Sequence, residues 1–97
     1  MKTDRELLEL AARAAGIDVD AHDCFGAYIW DPLNDDGDAL RLAVKLRMMI
    51  DASNDGHEVM AASPTGHHWT EICGLDAYSA TRRAIVRAAA EIGEGMK

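Results

Sequence analysis

An acidic run that follows a proline is the sequence feature that most constrains the fold. Residues 30–40 read Trp-Asp-Pro-Leu-Asn-Asp-Asp-Gly-Asp-Ala-Leu, and an apolar helical stripe begins directly after the acidic residues. Pro32 disfavours helix in the residue before it, whereas Asp35 is a good N-cap residue. Asp36 and Asp38 then lie in the first turn, where the helix dipole stabilises anions. The segment therefore predicts the end of an extended stretch and the start of a helix at Asp35.

The body of this second helix is apolar on two sides. One stripe contains Ala39, Leu42, Ala43, Leu46 and Met49, and the stripe beside it contains Leu40, Val44 and Met48. So wide an apolar surface is typical of a helix with neighbours on more than one side. We expect it to be the most buried helix, covered by both a sheet and another helix.

Two other helices are bounded by local signals. Thr3 and Glu6 have the spacing of a capping box, and Gly16 supplies the left-handed residue that ends the first helix. Asp76 is placed to cap a last helix, and Gly93 is predicted to stop it.

The clearest strand signal is a hairpin. Residues 57–62 and 67–73 are joined by Ser-Pro-Thr-Gly at 63–66, which suits a type I turn. Residues 27–30, which are aromatic and β-branched, are a further strand candidate, and residues 17–20 are a weaker one. On the return strand of the hairpin, neither face is uniformly apolar.

These elements follow one another in the order α, β, α, β-β, α. In a chain of 97 residues this order predicts one α+β domain over residues 1–97, with a frayed tail at 94–97. We expect a small, mainly antiparallel sheet packed with helices in an α/β/α sandwich-like arrangement.

Composition and charge exclude several classes of protein. The net charge of −7 repels phosphate backbones, so direct binding of nucleic acid is not expected. No apolar run reaches the roughly 18 residues of a membrane-spanning helix, and the charged N-terminus lacks the pattern of a signal peptide. Cys24 and Cys73 are the two cysteines and have no CxxC partner, which favours a reduced, cytoplasmic protein.

The acidic run is the first candidate for chemistry. Asn34, Asp35, Asp36 and Asp38 offer oxygen ligands that Mg²⁺ or Ca²⁺ prefers, although the spacing around Gly37 does not fit an EF-hand. Helix capping and the helix dipole account for the three aspartates without any metal. We favour the capping interpretation and keep a cation site as the alternative.

Histidines and cysteines offer two weaker candidates. A zinc site would draw on Cys24, Cys73, His57, His67 and His68. Zinc ligands usually come in close pairs, and two adjacent histidines on a strand point to opposite faces. A nucleophilic Cys73 with His68 or His57, assisted by Glu71, is a further possibility. However, Cys73 and His68 face opposite ways on one strand, and no Gly-rich elbow surrounds the thiol. We therefore favour isolated buried thiols and surface histidines.

The last helix carries a short basic patch. Arg82, Arg83 and Arg87 could contact phosphate or an acidic partner. The patch has no aromatic residues interleaved with it and belongs to an acidic chain. It predicts a solvated helix face.

Two stretches resemble a known family. Residues 30–46, with their Pro-Leu and Asp-Asp-Gly-Asp sequence, resemble the signature of the phage ABA sandwich domain family, and residues 80–93 resemble its C-terminal helix. Together they cover about a third of the chain. Family members commonly have Asn where this chain has Asp31, and usually Thr where it has Asn34. The resemblance implies a small protein of a temperate phage or prophage with a sheet between helical layers, and it implies no activity, cofactor or catalytic residue.

The function expected from these observations is non-enzymatic. We expect a phage accessory protein that binds an unidentified phage or host protein, uses no cofactor and can form a homodimer. One alternative is a divalent-metal-dependent enzyme that uses residues 35–38. Another is an acidic mimic of nucleic acid that inhibits a host defence protein, a role that would need carboxylates clustered on one face.

Overall fold

A computed structural model describes residues 2–17, 30–54, 57–73 and 76–96. Within these residues the elements are α1 (Asp4–Ala15), α2 (Asp36–Lys45), β1 (Met49–Asn54), β2 (Glu58–Ala62), β3 (His68–Ile72) and α3 (Ala77–Gly95). The three strands form one antiparallel sheet in the order β1-β2-β3. The predicted α+β class and antiparallel sheet are confirmed. None of the described helices has the length and apolar character needed to cross a membrane.

Helix α1 begins and ends at the predicted residues. The Thr3 hydroxyl accepts a hydrogen bond from the Glu6 N–H at 3.1 Å, and the Glu6 carboxylate accepts from the Thr3 N–H at 3.4 Å. Gly16 has a φ of 71°, and the Ile17 N–H turns back to the Ala12 carbonyl at 2.9 Å. Because these signals depend on neighbouring residues alone, they can be read directly from sequence.

Helix α2 begins as predicted but is less buried than expected. The Asp35 carboxylate accepts a hydrogen bond from the Asp38 N–H at 2.8 Å and caps the helix. However, Leu40 is 63% exposed and Val44 is 68% exposed. The prediction that this is the most buried helix is wrong, because α2 buries only one side and packs mainly against α3.

The end of α2 also differs from the prediction. Arg47 adopts a φ of 56°, and its N–H donates to the Val44 carbonyl at 3.1 Å. The Met48 N–H donates to the Ala43 carbonyl at 2.9 Å, which completes a Schellman motif. The chain then enters β1 at Met49, a residue that the apolar stripe assigned to the helix. The left-handed residue is not a glycine, so its sequence signal is absent.

The predicted hairpin is confirmed as β2 and β3. Ala61 pairs with Trp69 across it, and the Gly66 N–H closes the turn on the Ser63 carbonyl at 3.1 Å. The candidate strand at 27–30 lies outside the described residues except for Trp30. The candidate at 17–20 likewise lies outside them except for Ile17.

Helix α3 is the central element of the described fold. The Asp76 carboxylate caps it as predicted, and α3 packs against α1, α2 and the sheet. Gly93 does not stop the helix, which continues to Gly95, so two residues of the predicted frayed tail are helical. A Cβ on Gly93 would lie 1.9 Å from the Leu10 carbonyl oxygen of α1. This glycine is therefore required by close helix packing rather than by helix termination.

The sheet has one covered face and one open face in the described part of the chain. Val59 and Ala61 are fully buried on the face that packs against α3. Thr70 and Ile72 lie on the other face and are exposed. The second helical layer that the family resemblance implies is not seen among residues 2–17, 30–54, 57–73 and 76–96.

Candidate functional site

The acidic run encloses a buried aspartate. Asp38 is only 1% exposed, and its carboxylate accepts hydrogen bonds from the Asp31 N–H at 2.9 Å and from the Arg41 guanidinium at 2.7 Å. Because the backbone N–H lies seven residues earlier, this carboxylate holds the loop before α2 closed. The sequence predicted Asp38 as a first-turn residue near the helix dipole, with a cation ligand as the alternative, and did not predict this loop contact. Arg41 at the i,i+3 position was the available signal for its pairing.

The other members of the run also have protein partners. The Asn34 side-chain amide donates to the Asp31 carboxylate at 2.8 Å. The Asp36 carboxylate accepts from the Arg82 guanidinium at 2.6 Å, and Arg82 Nε also donates to the Leu33 carbonyl at 2.8 Å. Asp36 therefore connects the start of α2 to α3.

The carboxylates of the candidate cation site are paired with protein donors, and those of Asp35 and Asp38 both approach the Arg41 guanidinium, at 4.0 and 2.7 Å. Asp35 faces the backbone of its own helix, Asp36 faces Arg82, and Asp38 faces the Asp31 backbone. In the part of the chain that the structure describes, no group of three or more His, Cys, Asp or Glu side chains is placed to hold a metal ion.

Of the candidate histidines, His57 lies across the hairpin from Cys73, whose N–H donates to the His57 carbonyl at 2.9 Å. Cys73 is buried directly after β3, whereas His68 is exposed on the strand. The His67 ring is hydrogen-bonded to the Thr65 hydroxyl at 2.9 Å. Cys24 lies outside the described residues. Cys73 and His68 thus stand on opposite sides of the strand, as alternation requires.

The basic patch of α3 is not the solvated face that was predicted. The Arg82 side chain is only 16% exposed because it reaches the loop before α2. Arg83 donates to the Asp4 carboxylate of α1 at 3.3 Å. The Arg87 guanidinium lies 4.8 Å from the centre of the Trp69 ring. Each arginine connects α3 to a different part of the fold, so the prediction is wrong for a reason of tertiary packing.

Trp69 and Arg87 belong to a cluster that sequence reasoning missed. The Trp69 indole N–H donates to the Glu71 carboxylate, and Arg87 Nε lies 3.6 Å from the same carboxylate. Arg87 Nε is buried, and none of the described residues forms a hydrogen bond with it. A cationic group over an indole ring is stabilised by the negative face of the ring. The alternation of residues 67–73 places Trp69 and Glu71 on one face, but only the fold brings Arg87 to them.

The cluster borders a cleft of about 540 Å³ between α1, β3 and α3. Its lining consists of Lys2, Leu7, Trp69, Arg87, Ala90, Glu91 and Glu94. Lys2 Nζ lies 2.6 Å from the Glu94 carboxylate, which raises the pKa of Lys2 above its usual value. Lys2 faces Glu94 and Arg87 faces Glu71, so these two cations lie beside carboxylates. The cleft therefore has no strong preference for a ligand of either charge.

The face of the sheet that points away from α3 leaves apolar side chains exposed. We call it the outer sheet face, and it comprises Met49, Asp51, Glu58, Met60, Ala62, His68, Thr70 and Ile72, which the strand register places on one side. Met49 is 61% exposed and Ile72 is 83% exposed. Sheets normally bury an apolar face against another layer.

A scan against protein-family models, a search of curated proteins and a search of solved structures each found no match for this chain. The resemblance of residues 30–46 and 80–93 to the phage ABA sandwich domain family therefore stays a prediction. Function is inferred from the chain's own residues.

Proposed function

We propose that this chain is a small phage- or prophage-encoded accessory protein that binds a phage or host protein without catalysing a reaction. The observation that carries the proposal is the outer sheet face. It leaves Met49 and Ile72 exposed beside half-buried Met60, while the other face of the same sheet is packed against α3.

The physical reason is the free energy available on this face. Full burial of a Met or Ile side chain contributes about 1.5–3 kcal/mol relative to leaving it exposed. Asp51 and Glu58 flank the apolar residues on the same face and are exposed. Exposed apolar side chains next to charged ones are a usual composition of a protein–protein interface.

Phage origin is proposed from the family resemblance. The structure places Asp35 at the N-cap of α2 and Pro32 in a buried position, so the most characteristic part of that resemblance has a structural role. A role in the cytoplasm of the bacterial host fits a chain whose two cysteines do not form a CxxC pair.

Affinity capture from a phage-infected or lysogenic bacterial culture tests the proposal. We expect the tagged protein to retain a specific partner, and Met49→Lys to bind it more weakly or not at all, because the substitution places a charge at an exposed apolar position of the outer sheet face. Leu40→Lys is the matched control, since Leu40 is 63% exposed on α2 and lies away from the sheet. This variant is expected to retain the partner.

Two results would overturn the proposal. One is equal retention of the same proteins by the wild-type chain and Met49→Lys, or retention of none. The other is turnover of nucleotides or phosphoesters by the purified protein with Mg²⁺ that Asp36→Ala abolishes.

A further inference from the structure

The sheet ends at β3 with hydrogen-bonding groups directed away from it. The Cys73 N–H donates to the His57 carbonyl at 2.9 Å, and the Ser63 N–H donates to the His67 carbonyl at 2.7 Å. Together with the register of β2 and β3, these bonds show that the odd-numbered residues of the return strand exchange hydrogen bonds with β2. The backbone N–H and C=O groups of His68, Thr70 and Ile72 therefore point to the opposite edge, where no described strand lies.

This edge is more regular than the other edge of the sheet. The pairing of β1 with β2 shifts register between Asp51 and Asn54, an irregularity that discourages pairing with another chain. The pairing of β3 with β2 is continuous from His68 to Ile72. No proline or lysine lies in β3, and its inward-facing acidic residue, Glu71, is paired with Trp69 and Arg87 of its own chain. The edge therefore has few of the usual protections against pairing.

We propose that β3 pairs with β3 of a second copy of this chain, antiparallel about a two-fold axis at Thr70. In that register Thr70 faces the partner's Thr70, and His68 faces the partner's Ile72. All three outward residues then exchange backbone hydrogen bonds with the partner strand. The two sheets become one six-stranded sheet, with both α3 helices on the same side.

The side chains of β3 are complementary to themselves in this register. Trp69 faces the partner's Glu71, so no two like charges are opposed across the strand pair, and an indole N–H stands near a carboxylate. The register shifted to an axis at Glu71 would place that carboxylate directly against the partner's Glu71. Ile72, which is 83% exposed in one copy, loses exposed surface to the neighbouring strand. Charge and apolar area thus favour the axis at Thr70.

Ile72 belongs to both the outer sheet face and the pairing edge, but Met49 lies on β1, at the opposite edge of the sheet from Thr70. The variants at Met49 and Thr70 therefore test the two proposals separately. Pairing through β3 would join two outer sheet faces into one continuous surface.

Analytical ultracentrifugation over a dilution series tests the pairing. We expect the wild-type chain to reach about twice its monomer mass of 10.5 kDa at high concentration. Thr70→Pro removes an N–H that makes no bond to β2, so it should leave the fold intact and give a monomer. Thr70→Val keeps the N–H and is expected to remain dimeric. Circular dichroism of each variant shows whether it is folded.

Charge variants test the position of the axis without relying on proline. Thr70→Lys and Thr70→Glu each place two like charges face to face and should be monomeric when alone. Mixed in equal amounts, they should form a dimer of one copy each. A monomeric wild-type chain at all concentrations overturns the proposal, as does a dimer that both charge variants leave unchanged. Neither result would change the interpretation of the Met49→Lys capture experiment, which tests the proposed partner binding.

Discussion

Gly93 lies where α3 passes directly against the backbone of α1. A Cβ at this position would stand 1.9 Å from the Leu10 carbonyl oxygen and 2.8 Å from its carbon, distances that backbone atoms cannot accommodate without moving. Gly95 lies two residues later in the same helix with nothing within 4 Å of an added Cβ. Both glycines are in α3, but only Gly93 is in close contact with another helix.

Replacing Gly93 with Ala is expected to destabilise the protein by about 1–3 kcal/mol or more, because α1 and α3 must separate to admit the methyl group. Gly95→Ala is the control and should be neutral or stabilising by up to about 1 kcal/mol. Urea denaturation followed by circular dichroism measures both. Equal stability of the two variants would show that the helices do not approach as closely as described.

At the scale of elements, helix ends determine where each segment changes direction. The end of α1 uses Gly16, whereas the end of α2 uses Arg47 in the same left-handed region. A left-handed conformation costs an ordinary residue roughly 1–2 kcal/mol. The cost at Arg47 is offset by the two hydrogen bonds of the Schellman motif and by the pairing of β1 with β2.

We expect Arg47→Val to lower the free energy of unfolding by about 1 kcal/mol or more, because β-branched residues tolerate a positive φ poorly. Arg47→Asn should have a much smaller effect, since asparagine adopts this region more readily. Arg47 is exposed, so neither change disturbs the core. The midpoint of chemical denaturation distinguishes them, and a valine variant as stable as the asparagine variant would contradict the prediction.

At the scale of the whole molecule, α3 is the element on which the others are assembled. It contacts α1, α2 and the sheet, and Ala84, Val86, Ala88 and Ala89 within it are completely buried. Arg82, by contrast, reaches outward from α3 to hold the loop before α2. Loss of α3 would expose every other described element. The free energy needed to open α3 should therefore be close to that of global unfolding.

Native-state hydrogen exchange is expected to find the slowest amides in the interior of α3. Amides of β1 that bond to β2 should exchange at least about tenfold faster, a difference of about 1.4 kcal/mol in opening free energy. The reason is that β1 lies at a sheet edge and has few contacts with α3. Exchange in β1 as slow as in α3 would mean that the sheet and the central helix open together.

Features that depend on neighbouring residues were predictable from sequence. The capping box at Thr3, the N-caps at Asp35 and Asp76, and the hairpin turn at 63–66 all use hydrogen bonds between residues at most four positions apart. The α+β class followed from the order of these elements. Residues 27–30, which carried a further strand prediction, lie outside the described residues apart from Trp30.

Features that depend on distant residues were decided only by the tertiary structure. Gly93 gave the signal of a helix end but serves a helix contact, because its neighbour Leu10 is far away in sequence. Arg87 belonged to a predicted solvated patch but stacks on Trp69 of another element. The acidic run before α2 was a candidate cation site by sequence, but in the structure its side chains bind protein donors. The exposed outer sheet face, with Ile72 on it, emerged only when the layers were assembled, because an alternating strand pattern does not show whether both faces are covered.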